Sequence, residues 1–307
     1  MGTLIRSGSQ TPGIDPDAFR LPPGTAIRYE RPADQLASLL PSYAVLDSDP
    51  AIWRGRPEWL LPSWAQVWIV LTEGIITVKI GRRQYDPLSS AILYGVTSRA
   101  MQVTAQGGVT VVIDVSPMGW ARLFKPAADA LRDRITPLQA LLPAGQVEAL
   151  ATRLYESDRD SAVKDIIDGF FLEHMPPPDR NEPIIAKMMT LLADETGADD
   201  LIGIAKKLGI SPPTFLRISK RYFGFTPKML MMRARFLRAL TSMLTDTDAI
   251  DFSYVPPGYH NVPHFIRDAN RFLGMTPRRF LAMDMPYLCA ALRARKLVLG
   301  VTTPSLD

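Results

Sequence analysis

Two segments of the chain share one sequence pattern in a fixed register. Residues 215–228 read FLRISKRYFGFTPK, and residues 265–278 read FIRDANRFLGMTPR. The last position is basic in both segments. Six pairs of positions are identical: Phe215/Phe265, Arg217/Arg267, Arg221/Arg271, Gly224/Gly274, Thr226/Thr276 and Pro227/Pro277. An internal duplication of this kind indicates one supersecondary unit that is used twice.

Each copy predicts an amphipathic helix. At 100° per residue, one side of each helix is apolar and the other side is basic or polar. The apolar positions are Phe215, Ile218, Tyr222 and Phe223 in the first copy, and Phe265, Ala269, Phe272 and Leu273 in the second. The opposite side carries Arg217, Lys220 and Arg221, and then His264, Arg267, Asn270 and Arg271. Each helix therefore offers one face to a core and the other to water or to a polyanion.

The ends of these helices are also encoded. Ser211 followed by Pro212 is typical of an N-cap with proline at the first helical position. Gly224 and Gly274 stand where a helix would end in a left-handed residue. A Thr-Pro pair follows each glycine two residues later and predicts the start of another helix.

The surrounding sequence predicts a helix-turn-helix. Residues 201–209 form a short amphipathic pattern that ends in glycine, and the basic helix of the first copy follows. Residues 201–245 contain nine Lys or Arg and no Asp or Glu, whereas solvated surfaces usually mix both signs. Residues 181–307 carry 17 basic against 11 acidic side chains, and residues 1–180 carry 18 against 20. We interpret the basic half as a binder of double-stranded DNA, in preference to an ordinary solvated surface.

These motifs resemble the AraC/XylS family of bacterial transcription regulators. The resemblance covers residues 185–285 and includes a linker pattern at Arg235-Phe236, Ala239 and Met243-Leu244. A second pattern comprises Gly258-Tyr259, His264-Phe265, Arg267 and the Gly-x-Thr-Pro of residues 274–277. It implies an all-α DNA-binding domain with two helix-turn-helix units joined by a long helix. It also implies contact with RNA polymerase, and activation more than repression.

The resemblance assigns the DNA contacts to outward positions of the two units. It implies base-edge contacts from Pro213, Thr214 and Arg217, and from His264 and Arg267. Phosphate contacts are expected from Lys220, Arg221, Asn270 and Arg271, and the polar recognition surface includes His260 and Asn261. For each of these residues the alternative is a solvated helix surface.

The chain departs from the family pattern in two places. Ser219 replaces a usual aromatic residue of the first unit. In the second unit Ser253-Tyr254 stand in place of Ile-Ala, and Pro256-Pro257 follow. Consecutive prolines do not fit inside a helix, so the scaffold helix is expected to shorten to residues 249–255. The second unit would then read DNA loosely or contact only phosphates.

The remaining chain predicts an α+β multidomain protein. Residues 1–26 are expected to form a flexible tail, and residues 27–180 a β-rich sensor domain with a helical segment for dimerisation. This domain resembles cupin-type barrels or sandwiches. The predicted strands are residues 67–71, 75–80, 91–94 and 109–115, and the predicted helices are residues 127–134, 145–157 and 162–174. Residues 181–286 form the DNA-binding domain, and residues 287–307 a basic tail that either extends the DNA surface or packs on the domain.

The residue inventory argues against catalysis. The chain has three histidines, none within the predicted strands, and one cysteine, Cys289. His260 and His264 have the spacing of a metal pair, but a polar recognition surface is the preferred interpretation. No nucleophile motif or phosphate-binding loop is present, so we expect no enzyme activity, catalytic residue, cofactor or metal. Tryptophans at 53, 59, 64 and 68 are expected to be core more than an effector pocket.

Two other functions remain open from the sequence. The first domain could be a small-molecule enzyme fused to a regulator. Alternatively, a degenerate second unit could leave an interaction protein or one that coats DNA. The chain has no leader or long apolar run, which predicts a cytoplasmic protein without a membrane partner. A small-molecule or protein effector and a homodimer are both compatible with the sequence.

Overall fold

The computed structural model describes residues 3–71, 76–85, 88–104, 106–193, 201–245, 256 and 258–301. It confirms the α+β prediction, with a two-sheet β domain followed by a helical region. The larger sheet has six antiparallel strands, in spatial order β1 (Thr25–Glu30), β2 (Tyr43–Ser48), β9 (Gly108–Val115), β4 (Ala65–Val70), β7 (Ala91–Tyr94) and β10 (Ile135–Pro137). The smaller sheet has four, in order β3 (Pro57–Leu60), β8 (Met101–Thr104), β5 (Thr77–Ile80) and β6 (Arg83–Tyr85).

The six-stranded sheet is covered on both faces, and side-chain alternation assigns residues to each face. In β9, Val111 and Ile113 pack with the helices, whereas Val112 between them packs toward the smaller sheet. In β4, Trp68 faces the smaller sheet and its neighbour Val67 faces the helices. A strand buried on both faces carries a continuous apolar run, which is why these strands are visible in the sequence.

The N-terminal segment packs on the β domain along its described part, although we expected residues 1–26 to be a flexible tail. The backbone of Gly8 pairs with β1, donating to Ile27 O and accepting from the N–H of Tyr29, both at 3.0 Å. Phe19, in a 3₁₀ turn over Pro16–Phe19, is fully buried in the apolar core between the two sheets.

Four helices belong to the β domain and its extension: α1 (Pro50–Trp53), α2 (Pro117–Leu123), α3 (Ala144–Glu156) and α4 (Val163–His174). They are followed by α5 (Glu182–Ala193), which packs against both α2 and the later helix of residues 227–245. The predictions for residues 145–157 and 162–174 match α3 and α4 within one residue. The helix predicted over 127–134 is wrong, because that stretch holds only a 3₁₀ turn at Ala128–Ala130 before β10 begins. Its apolar residues, Ala128 and Leu131, instead pack into the core next to the helical region.

The helical region contains α6 (Leu201–Lys207), α7 (Pro212–Ile218, continued by π-helical turns over Ser219–Phe223), the long α8 (Pro227–Thr245), α9 (Val262–Leu273), α10 (Pro277–Leu281) and α11 (Pro286–Leu299). The predicted stops are confirmed, since Gly224 and Gly274 have φ of 75° and 74°. Among the described residues, no helix combines the length and apolar character needed to cross a membrane.

Helix α11 lies on the β domain and inserts a charged side chain into it. Ala290, Ala294 and Val298 join the apolar core between the two sheets. On the same helix, the buried guanidinium of Arg295 donates to Asp114 Oδ2 at 2.6 Å and to the Tyr29 hydroxyl at 2.6 Å. Asp114 also accepts from Ser42 Oγ at 2.6 Å, so the carboxylate is held by several donors. The segment expected as a basic tail thus contains a helix that packs on the β domain, while its Leu288 and Leu292 pack in the core shared by α8 and α9.

The start of α11 contacts an acidic side chain whose titration we expect to affect stability. Burial raises the pKa of Glu58 on β3 to about 7, and nearby Asp284 adds to the shift. A carboxyl group with a raised pKa stabilises the fold below its unfolded pKa and loses that contribution as pH rises through about 7.

Glu58→Gln should therefore become more stable relative to the wild type as pH rises from 5.5 to 8, by on the order of 1 kcal/mol. Urea unfolding of both proteins at the two pH values measures this change. A difference in the free energy of unfolding that is the same at both pH values would contradict the raised pKa of Glu58.

Candidate nucleic-acid interface

The first candidate unit is formed by α6, a tight turn and α7. Gly209 supplies the turn with a φ of 69°, and the backbone N–H of Ile210 donates to Ala205 O at 3.1 Å. Ser211 caps α7 by accepting from the N–H of Thr214 at 3.4 Å, as the sequence predicts. The two helices are therefore joined by the short glycine turn that defines a helix-turn-helix.

The apolar side of α7 is buried and its basic side is exposed. Phe215, Ile218, Tyr222 and Phe223 are all at most 4% exposed, and the Arg217, Lys220 and Arg221 side chains are exposed. Ser219, which replaces a usual aromatic, is fully buried and donates its hydroxyl to Phe225 O at 2.6 Å. The serine thus hydrogen-bonds the helix to the turn that follows it, whereas an aromatic side chain at this position would fill the core.

The second candidate unit presents α9 in the same way. Phe265, Ala269, Phe272 and Leu273 pack with α8 in a separate core, while Arg267, Asn270 and Arg271 are exposed. Asn261 caps α9, since its Oδ1 accepts from the N–H of His264 at 2.9 Å. Asn261 therefore has a structural role as the N-cap of α9. The shortened scaffold helix expected over residues 249–255, with Ser253-Tyr254 and Pro257, lies outside the described residues.

A buried polar network connects α8 to α9. Arg235 donates through one terminal nitrogen to Asp268 Oδ2 and to His264 Nε2, both at 3.2 Å. Asp268 also accepts from the Tyr259 hydroxyl at 3.1 Å, and the guanidinium lies over the Tyr259 ring at 4.9 Å. Only 4% of the Asp268 side chain is exposed, so this ion pair is largely shielded from water. It fixes the orientation of α9 relative to the linker helix.

The network determines the proton position on His264. A guanidinium can only donate, so Nε2 must be the acceptor and the proton resides on Nδ1. Burial lowers the pKa of His264, and the charge of Arg235 lowers it further. At neutral pH the ring is therefore uncharged and provides one N–H donor, a group that can meet a base acceptor or a phosphate oxygen.

The other sequence-predicted residues are all at least partly accessible to solvent. Pro213 and His260 are exposed, and Thr214 is partly exposed. The rings of His260 and His264 are nearly parallel with centroids 6.1 Å apart. Among the described residues, no group of three His, Cys, Asp or Glu side chains could hold a metal.

Sequence reasoning assigned one arginine wrongly. Arg233 was counted with the basic surface of residues 201–245, yet its side chain is buried and directed into the β domain. Its position in α8 carries no sequence signal that separates it from Arg238, which remains partly exposed. The tryptophans at 53, 64 and 68 are buried core residues, as expected.

Comparisons with known proteins agree with this geometry in the helical region. Residues 204–283 match the family model described as a helix-turn-helix domain. No curated protein matches the chain at a significant level.

Among solved structures, ToxT from Vibrio cholerae O395 aligns at 14% identity with a TM-score of 0.42, over 74% of this chain and 93% of that one. ToxT with bound unsaturated fatty acid, from Vibrio cholerae strain SCE256, aligns at 12% identity with a TM-score of 0.43, over 86% and 96%. The AraC-like transcriptional activator CuxR aligns at 13% identity with a TM-score of 0.25, over 70% and 87%.

The matched residues begin in α6 and end just after α10, so they span both candidate units and the linker helix between them. Residues 204–283 therefore form a helix-turn-helix domain, within the region whose sequence motifs resemble the AraC/XylS family.

Proposed function

We propose that the protein is a DNA-binding transcription regulator that binds double-stranded DNA with both helix-turn-helix units. The observation that supports it is the equivalent exposure of Arg217, Lys220 and Arg221 on α7 and of Arg267, Asn270 and Arg271 on α9. Helices with an exposed basic face and a buried apolar face suit the major groove and its flanking phosphates.

The exposed residues divide into two roles. Arg217 and Arg267 lie near the middle of the helical stretches 212–223 and 262–273 and suit bidentate contacts with guanine, with Pro213, Thr214 and His264 before them. Lys220, Arg221, Asn270 and Arg271 lie further along and suit phosphate contacts. His260, which precedes α9, belongs to the polar rim of the second unit.

The β domain would receive a signal, from a small molecule or a protein, and pass it to the DNA-binding units. Activation through contact with RNA polymerase follows from the family resemblance, and α3 and α4 would provide the contact between two copies of the chain. Such a regulator would act in the bacterial cytoplasm, which contains the chromosome. No catalytic role is assigned to the β domain.

Replacing Lys220 with Ala should weaken binding to all duplexes to the same extent, because a phosphate contact carries no sequence information. The slope of log K against log salt should fall in magnitude by about 0.9. Fluorescence anisotropy between 50 and 300 mM salt measures it. An unaltered slope would remove Lys220 from the phosphate contacts.

Selection of duplexes from a random pool by the full-length protein tests the proposed function. We expect one enriched bipartite motif, with two half-sites about one helical turn apart. Binding without any enriched motif would favour the DNA-coating alternative. No binding at moderate salt would contradict DNA recognition altogether.

A further inference from the structure

One loop of the β domain contacts both helix-turn-helix units and the helix between them. We call residues 95–100, which connect β7 to β8, the bracket loop. Its contacts are with Gly224 after α7, Arg233 in α8 and Phe272 near the end of α9. These three residues are separated by up to about fifty positions in the sequence, so a single short loop contacts parts of both units.

The first contact is at the C-terminal end of α7. A Cβ placed on Gly224 would lie 2.2 Å from Cγ2 of Val96 and 3.4 Å from the backbone of Ala128. Gly224 has a φ of 75°, so both its conformation and this close approach require glycine. Arg132 donates to Gly224 O at 3.3 Å, which adds a polar contact at the same point.

The second contact is the buried cation of the linker helix. Arg233 donates to Ser63 O at 3.1 Å and to Thr97 O at 3.2 Å. Its guanidinium also lies over the rings of Trp64, at 4.4 Å, and Phe225, at 4.9 Å. Burial lowers the pKa of Arg233 to about 9, so the group remains charged at neutral pH. A buried cation bound by carbonyls and aromatic faces fits only where all of those groups meet.

The third contact is at the C-terminal end of α9. The N–H of Ala100 donates to Phe272 O at 2.6 Å, and Ala100 packs in the core of the second unit. This bond uses one of the last carbonyls of the helix, which have no partner within the helix itself. The bracket loop therefore caps a carbonyl at the C-terminal end of α9 and packs against the C-terminal end of α7.

The bracket loop also contacts residues 131–134 of the β domain. Gly95 donates to Arg134 O at 2.9 Å, and a Cβ on Gly95 would lie only 1.9 Å from Leu131 O. Asp133 accepts from the N–H of Ser98 at 2.6 Å and from its hydroxyl at 2.7 Å. With both ends continuous with strands and its middle tied to residues 131–134, the loop has little freedom to deform alone.

We propose that the bracket loop sets the relative position of the two recognition helices, with Arg233 as the central positioning residue. The consequence is that the β domain determines which spacing of two half-sites the protein binds. β7 belongs to the six-stranded sheet and β8 to the four-stranded one, so a shift between the sheets would move the loop. The spacing part of this inference rests on the proposed DNA binding; the positional part does not.

A distance measurement tests the positional part without DNA. Spin labels are attached to cysteines introduced at Lys220 and Asn270, both exposed, in a full-length Cys289→Ala background. We expect a narrow distance distribution in the parent and a broader or shifted one after Arg233→Met. Lys228→Met is the matched control, because it removes the same charge from an exposed position of α8 and should leave the distribution unchanged. An Arg233→Met distribution equal to that of the parent would overturn the proposal.

Val96→Ala provides a second variant if Arg233→Met does not fold. This substitution shortens the side chain that contacts Gly224 and changes no residue of the DNA-binding region. It should also broaden the distance distribution. A distribution identical to the parent's would again count against the proposal.

A spacing series tests the functional part. The probe is the duplex that the full-length protein enriches from a random pool, rebuilt with its half-sites moved apart or together by one or two base pairs. We expect the wild type to lose about tenfold in affinity at a two-base-pair change, because the second contact becomes strained. Arg233→Met should lose about threefold or less, with unchanged affinity for a single half-site. Equal spacing profiles would contradict the inference, whereas the lack of any enriched duplex would contradict the proposed function instead.

Discussion

Replacing Asp114 with Ala should lower the free energy of unfolding by about 3–5 kcal/mol, because it leaves the buried cation of Arg295 without its counter-ion. The two side chains are 8% and 4% exposed, and their atoms are 2.6 Å apart. Urea denaturation followed by tryptophan fluorescence measures the change. Asp34→Ala is the matched control, since that aspartate is exposed and should cost less than about 0.5 kcal/mol.

The double variant Asp114→Leu with Arg295→Met should recover much of the loss, because a buried ion pair replaced by apolar side chains leaves no unpaired charge. A loss below about 1 kcal/mol for Asp114→Ala would show that water or another group compensates Arg295. The result bears on function because this ion pair joins the helix after the second unit to the β domain. A fragment that begins near residue 181 would expose that helix face, so DNA-binding experiments require the full chain.

Replacing Arg217 with Ala should weaken binding to the preferred duplex by about 1–3 kcal/mol, the usual cost of a lost bidentate contact with guanine. Preference should relax at one base pair, and binding to unrelated duplexes should fall much less. Anisotropy titrations with the preferred duplex and with single-base variants measure both effects.

Lys220→Ala is the comparison for this experiment, because it removes a charge from the same exposed face without a base contact. If both variants weakened all duplexes equally, Arg217 would be a phosphate contact and the assigned reading face of α7 would be wrong.

Much of the helical region could be predicted from the sequence, because local rules decide it. Pro212 after a serine cap, and glycine at 224 and 274, determine where helices begin and end through backbone conformation alone. The burial of Phe215 and Phe265 follows from helical periodicity. In the β domain, strands buried on both faces appear as apolar runs, so β7 and β9 were also predictable.

The remaining features depend on contacts between distant parts of the chain. Arg233 and Arg238 look alike in the sequence, and Arg233 is buried because the β domain brings Ser63, Trp64 and the bracket loop against it. Arg295 looks like a residue of a basic tail until Asp114, far away in sequence, is placed beside it. Residues 127–134 have helical composition, but Gly95 and Val96 hydrogen-bond to Arg134 and Asp133, and this pairing requires a turn there.

The measurement that tests the account most directly is the footprint of the full-length protein on its best enriched duplex. Two protected segments about one helical turn apart are expected, and Arg217→Ala and Arg267→Ala should each remove protection from a different segment. A single protected segment, or one that neither substitution alters, would contradict the claim that both helix-turn-helix units bind DNA together.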